Sequence, residues 1–467
     1  MLTNVDFTSG KMLLRNARTL DVAGGKLLDA SNVLIDGGKV VDIDAPSAPP
    51  ADADVFDLGG LTLSPGLIDT HVHILSPYLT EQKGVPGMWT FKQMDRNCEN
   101  TLAAGIVCVV DMLSPIKVLR RQRKKIAAGK VNGPDVMMSG GIFSCQGGYP
   151  EAINPVPKAV GALVGQPKYQ PQTTDEAAKI VKYLHGLGAT VIKVGYTRLS
   201  RQLVDGRSLP AISDEVLAGV CDAAHTLGLK VRVHHNWSED MLHLVDFKID
   251  ALEHGVYDRN LLDDEIMALK NHGASVVPTL TINDSQGRFE EKLGFLRSER
   301  AKEYFEPQAL EHLLWVCSTW TKFQGESYDG SFGYTRANRY CYEIEYRNTR
   351  KLFEAGVKLY AGTDCGAVVA YPGELADEIL RLTSIGMTNA QAIRAATNEA
   401  AEFIGRPDLG EVAPGKTAHL AVFEGNPLED LSALRRVRYV MKSGRLMKTS
   451  HDELPEFWQG FSVLAQN

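Results

Sequence analysis

From residue 67 onward the chain repeats one rhythm: a short apolar, β-rich run, then a stretch whose apolar positions recur at helical spacing. The rhythm predicts strands at Gly66–Val72, Ile106–Met112, Asp135–Gly140, Thr190–Val194, Lys230–His234, Ala251–His254, Ser275–Leu280 and Lys358–Thr363. Strands separated by helical patterns are the signature of a parallel sheet with crossover helices, and eight is the number that closes a (β/α)8 TIM barrel. The fold class is therefore α/β.

The flanks read differently. Lys11–Arg18 and Val33–Val41 alternate apolar and polar positions, Gly24-Gly25 and Gly37-Gly38 mark turns, and Pro46 to Ala53 is a Pro/Ala-rich connector. Beyond a helix predicted from Thr388 to Gly405, short strands return at His419–Phe423 and Val437–Lys442, with turns at Gly415 and Ser443-Gly444. The two ends resemble each other and differ from the middle. They are expected to pair as one β-sandwich domain, residues 1–63 with 406–467, flanking a catalytic barrel over 64–405. The stretch from Asn283 to Arg350 is too long, polar and aromatic for a compact βα unit. It reads either as helices with an insertion near the barrel mouth or as a helical pair packed outside.

Composition adds limits. The 467 residues are 44% hydrophobic and 23% charged, with 43 glycines and a net charge of −7. That is ordinary for a globular enzyme and argues against a nucleic-acid partner, which needs a basic surface. The densest basic run, Arg120 to Lys125, sits in a helical pattern from Val118 to Ala128 and reads as a solvated helix face. Seven dispersed cysteines show no CxxC pair, so neither a disulfide framework nor a zinc-cysteine site is expected. With no signal-peptide pattern and no bilayer-length apolar stretch, a cytoplasmic enzyme acting on a small molecule, away from membranes, is the expectation.

The chemistry concentrates at strand ends. In Pro65-Gly66-Leu67-Ile68-Asp69-Thr70-His71-Val72-His73, two histidines at i and i+2 face the same way and can grip one metal ion where a barrel strand opens at its C-terminal end. Lys193 lies among β-branched residues, where an ammonium pays a desolvation cost. It either snorkels at a strand end or stays neutral enough to react with CO2 to form a carbamate, whose two oxygens suit bridging two ions. Alternation in Lys230-Val231-Arg232-Val233-His234 places His234 inward and His235 outward. His254 and Asp364 also end predicted strands. Five ligand types and a lysine thus fall at the C-terminal ends of successive strands.

With these residues in view the chain resembles the amidohydrolase superfamily, in particular its binuclear branch with a carboxylated lysine. The resemblance runs nearly end to end, through the His71/His73 motif, Ile192-Lys193-Val194, Glu253-His254-Gly255, Val277-Pro278-Thr279, Gly362-Thr363-Asp364, Ala395 to Ala401 and Leu409 to Lys416. It implies one divalent ion on His71, His73 and Asp364, a second on His234 and His254, carboxylated Lys193 bridging both, and a shared hydroxide. Zinc is expected first, with cobalt, manganese or nickel suiting the same donors. Asp364 would move the proton from the attacking water to the leaving nitrogen. Asn236 stands where relatives carry His or Tyr to polarise the scissile carbonyl, and Cys365 stands where they have a small residue; a buried packing cysteine is the expectation there.

The resemblance is nearest to prolidase-like and ochratoxin-hydrolysing members. It implies a homo-oligomer that cleaves an amide beside a carboxylate, in a dipeptide or N-acyl amino acid. Arg198 and Arg201 are candidates to bind that carboxylate or are solvated loop charges, and Tyr196 and Tyr257 could line the pocket. Hydrolysis of a carbamate, urea or organophosphate is the alternative on the same site. A mononuclear deaminase would leave Lys193 unexplained, and a non-catalytic scaffold would be expected to lack ligands.

Overall fold

A computed structural model describes residues 2–7, 10–75, 89–150, 155–198, 208–287, 289–322, 334–367, 370–450 and 454. Strands β1 (Leu67–Val72), β2 (Ile106–Asp111) and β3 (Asp135–Met138) pair in parallel. So do β4 (Val191–Gly195), β5 (Lys230–His234), β6 (Ala251–Glu253) and β7 (Ser275–Val277). Positions along β1, β2, β4 and β6 are all buried, as befits a parallel wall covered by helices.

Two junctions close the ring. After β3 the chain turns through Gly140 and Gly141, at φ +77° and +135°, and Ile142–Phe143 then pairs with β4 opposite Lys193 and Val194. On the other side, segment 358–365 runs between β7 and β1. Val276 N donates to Lys358 O (2.9 Å) and Tyr360 N to Val276 O (3.0 Å), while Thr70 N donates to Ala361 O (3.1 Å) and Asp364 N to His71 O (2.8 Å). The strand expected at Lys358–Thr363 is thus a bridge rather than a regular strand, because its bonds pass from one neighbour to the other along its length.

Other expectations are refined. The helix expected from Thr388 to Gly405 is two helices, Asn389–Arg394 and Asn398–Phe403. The carbonyls of Ala395 and Ala396 at the break accept from Ala361 N and Ile68 N, tying it to the barrel floor instead of continuing the helical ladder. The Val33–Val41 run is split by the Gly37-Gly38 turn into Lys26–Asp36 and Lys39–Asp42. The basic run lies on helix Ile116–Ala127 with Arg120, Arg121, Arg123 and Lys124 exposed.

Both termini contribute to one nine-stranded sheet. Strand Thr62–Pro65 is its joint, antiparallel to Leu420–Phe423 and parallel to part of Lys11–Asp21. The sheet curls until its far edge, at Gly38 and Val40, bonds residues 415–418. The curl encloses a core that includes Met12, Leu14, Val33, Leu420, Met441 and Leu446. The expected sandwich is therefore one rolled sheet.

The region after β7 is helical. Residues from Leu293 to Cys317 form a separate apolar cluster with Tyr371, whereas helix Tyr334–Glu354 returns to the barrel and buries Tyr346 and Leu352 in the main core. No helix among the described residues is long and apolar enough to cross a membrane.

Candidate metal centre

The ends of β1, β4, β5 and β6 and the closing segment bring six side chains to one point. One donor atom each from His71, His73 and Asp364 lies within 4.8 Å of the others. The His254 ring centre is 5.2 Å from that of His71 and 4.5 Å from that of His234. Lys193 is 3% exposed and near enough for its charge to act on His71, His234, His254 and Asp364. His235, one residue along, turns away and places Nδ1 3.2 Å from Glu253 O, which is the alternation of a strand.

The backbone is held in unusual conformations here. His254, Thr279 and Asp364 have φ of 72°, 51° and 55°, in the left-handed region that non-glycine residues seldom occupy. Such geometry persists where the surroundings over-determine it, commonly at functional sites.

A second layer of polar groups aims the first. His71 Nδ1 is 2.5 Å from Glu253 Oε2, and the other Glu253 oxygen accepts from the buried Arg232. His254 Nδ1 is 2.7 Å from Thr279 Oγ1. With Nδ1–H donating in each case, both rings keep the Nε2 lone pair for a ligand. Asp69 accepts from His71 N, Thr363 N and Thr363 Oγ1, joining β1 to the segment that carries Asp364. Tyr149 stacks on His234 with ring centres 3.8 Å apart.

Burial, and then the Lys193 charge, lowers His71 to about 4 and holds His234 well below the ordinary imidazole range. Burial and the neighbouring imidazoles do the same to His254. Burial likewise brings Lys193 down to about 8. Asp364 stays below the usual carboxylate range against its burial, because His71 and His73 face it. The cluster thus gathers imidazoles and a buried lysine around one carboxylate.

These residues fit metal ions. His73 Nδ1, His234 Nε2, Asp364 Oδ1 and Lys193 Nζ are buried without a hydrogen-bond partner. Asp364 Oδ1 is 2.8 Å from His73 Nε2, yet off any hydrogen-bond line, the relation of two ligands converging on a third atom. One unsatisfied buried polar atom costs about 1–3 kcal/mol, so several in one place ask for a partner, and imidazole with carboxylate is a zinc-type donor set.

The remaining candidates are placed less uniformly. Asn236, 7% exposed, lies beside the His234 ring. Tyr196 packs on His243 of the helix outside the wall and is not brought to the cluster. Arg198 donates Nε to Asp240 at 2.6 Å and stays 40% exposed. Tyr257 is buried edge-on against Trp237. Arg201 lies outside the described residues. Cys365 is a buried packing thiol whose Sγ donates to Tyr371 O. Sequence reasoning did not single out Asp69, Glu253, Thr279, Thr363 or Tyr149. The one usable signal was Arg232 in the inward set of β5, a buried cation that requires a carboxylate opposite.

A closed α/β barrel with a His/Asp/Lys cluster at its C-terminal rim is a hydrolase type of scaffold whose donor set is compatible with metal. This chain belongs to the amidohydrolase family, whose sequence pattern matches residues 62–447. An uncharacterised protein of Mycobacterium tuberculosis is 30% identical over 262 residues, 54% of this chain and 57% of that relative, so the match spans little more than half of the relative's length. Among solved structures, a prolidase complexed with N-methylphosphonate-L-proline is 25% identical with a TM-score of 0.72, over 94% of this chain and 99% of that one. The ochratoxinase of A. niger is 19% identical with a TM-score of 0.68, over 94% and 95%. The superfamily resemblance in the sequence is thus the family found, and both kinds of relative it pointed to share the fold.

Proposed function

We propose that this protein is a metal-dependent hydrolase of an amide-like C–N bond beside a carboxylate, in a dipeptide or N-acyl amino acid. The observation that carries the reading is the convergence of His71, His73, His234, His254, Lys193 and Asp364 with unsatisfied buried donor atoms. Under it, His71, His73 and Asp364 would hold one divalent ion, zinc first, His234 and His254 would hold a second, and carboxylated Lys193 would serve both. When bound, such ions supply water activation and carbonyl polarisation.

The protein's own groups do the rest. Burial lowers Lys193 to about 8, which leaves a neutral fraction of the amine near neutral pH. Its lone pair forms an N–C bond to CO2 as one C=O π bond opens onto oxygen, and the N–H proton passes to water, leaving the carbamate anion. Asp364, between His73 and His254, accepts the proton of the attacking water and returns it to the leaving nitrogen. Asn236 donates a hydrogen bond to the scissile carbonyl. Arg198, with Nε fixed by Asp240, offers its remaining fork to the substrate carboxylate, the geometry in which arginine recognises carboxylates. A prolidase relative crystallised with a proline phosphonate supports an amino-acid product. The organisation proposed with this activity is a barrel over 64–405 between the two parts, 1–63 and 406–467, of a β domain, in a cytoplasmic homo-oligomer.

The test is turnover of blocked dipeptides, N-acyl amino acids and carbamates by protein loaded with zinc, cobalt or manganese. Acids should be cleaved at least about tenfold faster than their carboxamide counterparts, the worth of a charged hydrogen bond. Equal rates would refute the carboxylate requirement, and no cleavage with any metal would refute the hydrolase.

A further inference from the structure

Helix Tyr334–Glu354 belongs to the long stretch whose place the sequence left open, yet one face of it is devoted to the loop after His254. Glu345 is 0% exposed; Oε1 accepts from Gly255 N at 2.8 Å and Oε2 from Asn283 Nδ2 at 2.6 Å. One turn on, Asn348 donates to Val256 O (2.9 Å) and Arg259 O (2.8 Å) and accepts from Leu261 N (2.8 Å). Lys351 adds a bond to Leu261 O at 3.0 Å. Residues at i, i+3 and i+6 of one helix thus hold the backbone from 255 to 261.

The grip begins at the residue that follows His254, whose φ of 72° needs support from outside its own strand. The approach is close: a Cβ built on Gly255 would lie 2.5 Å from Glu345 Cγ. Asn283 ties the same carboxylate to helix Leu280–Gly287, which directly follows Thr279, the partner of His254 Nδ1. The backbone next to His254 and the hydroxyl that orients its ring are therefore anchored on one buried carboxylate.

We propose that Glu345, seconded by Asn348, is a positioning residue that holds the His254–Gly255 turn so that His254 Nε2 points at the second metal site. The inference rests on the metal centre proposed above. Through this contact, helix Tyr334–Glu354 sets the affinity of the ion on His234 and His254 without touching it.

The experiment is a cobalt titration of the full-length, metal-free protein, following visible absorption and bound metal. Wild type should take up two ions. Glu345→Ala should weaken the second by about 10–100-fold, the usual cost of losing an outer partner of a ligand, and leave the ion on His71, His73 and Asp364 in place. Glu345→Gln should restore the second ion, because its amide oxygen still accepts from Gly255 N and its NH2 can face a turned Asn283. Should Glu345→Ala not fold, Asn283→Asp, which sets a like charge against Glu345 at constant size, should give the same selective loss. Unchanged affinity at both sites, or equal weakening of both, would overturn the positioning role and leave the proposed hydrolase standing. Failure of wild type to bind a second ion would instead overturn the binuclear centre, and this inference with it.

Discussion

Glu253 stands between His71 and Arg232, with one carboxylate oxygen 2.5 Å from the imidazole Nδ1 and the other accepting from the guanidinium. All three side chains are buried, and Arg232 rests its other side on Phe403, 4.9 Å from the ring centre at the barrel floor. The Arg232 charge, then that of Lys193, keeps Glu253 ionised despite its burial, and the hydrogen bond from His71 adds to it. Removing that charge by Glu253→Gln leaves a buried guanidinium uncompensated. Urea unfolding of the metal-free protein should show a loss of about 3–5 kcal/mol. Metal competition should show about 10–100-fold weaker binding, because His71 loses the partner that fixes its tautomer.

Lys193→Ala removes the group proposed to lie between two ions. Metal analysis should fall from two equivalents to one, and turnover should drop by more than the roughly 100-fold that outer-layer changes cost. Protein equilibrated with 13C-bicarbonate should give a carbamate carbon signal by NMR in wild type and none in the variant. An enzyme that is indifferent to the change would refute the carbamate.

Chelation should abolish activity, and zinc, cobalt or manganese should restore it. If the metals bind only the folded state, free metal at 1,000 times Kd adds about 4 kcal/mol to stability for each site filled, visible as a higher Tm in a thermal scan. His71→Ala, His73→Ala and Asp364→Asn should each lose most of the increment due to the ion they hold. A Tm that does not respond to metal contradicts the centre.

Arg198→Ala tests the carboxylate subsite. KM for N-acyl amino acids should rise by about 10–100-fold, matching a charged hydrogen bond of roughly 1.5–3 kcal/mol, with KM for the matching carboxamides nearly unchanged. An equal effect on both would assign Arg198 to its loop, through Asp240, rather than to substrate.

Asp135 carries a pH prediction at the seam between barrel and β domain. Burial works to raise its pKa, but His419 (3.3 Å), Lys442 (3.1 Å) and Arg406 (3.1 Å) hold it well below the usual carboxylate range. A carboxyl depressed on folding contributes stability above its unfolded pKa and loses it as pH falls toward its folded one. Asp135→Asn should therefore destabilise the protein most at neutral pH, and the gap to wild type should narrow from about pH 5 downward. A gap that stays constant in urea melts between pH 7 and pH 3 would refute this role.

The sequence by itself determined the barrel walls and the polar side chains gathered at their ends. Parallel strands buried on both faces must be short apolar runs, and polar residues at their C-terminal ends then stand out, so His71, His73, Lys193, His234, His254 and Asp364, each unremarkable alone, were legible through their recurrence at successive strand ends. Alternation even separated His234 from His235, because a strand has a period of two. Tertiary structure alone decided what holds those side chains. Glu253 reaches His71 across 182 residues, Asp69 reaches Thr363 across 294, and Glu345 reaches Gly255 across 90. No local period encodes such pairs, since each becomes a neighbour only when the ring closes. The break at Ala395–Ala396 and the bridge at 358–365 were hidden for the same reason: their backbone groups bond to strands far away in the chain, and that demand overrides local helix or strand preference.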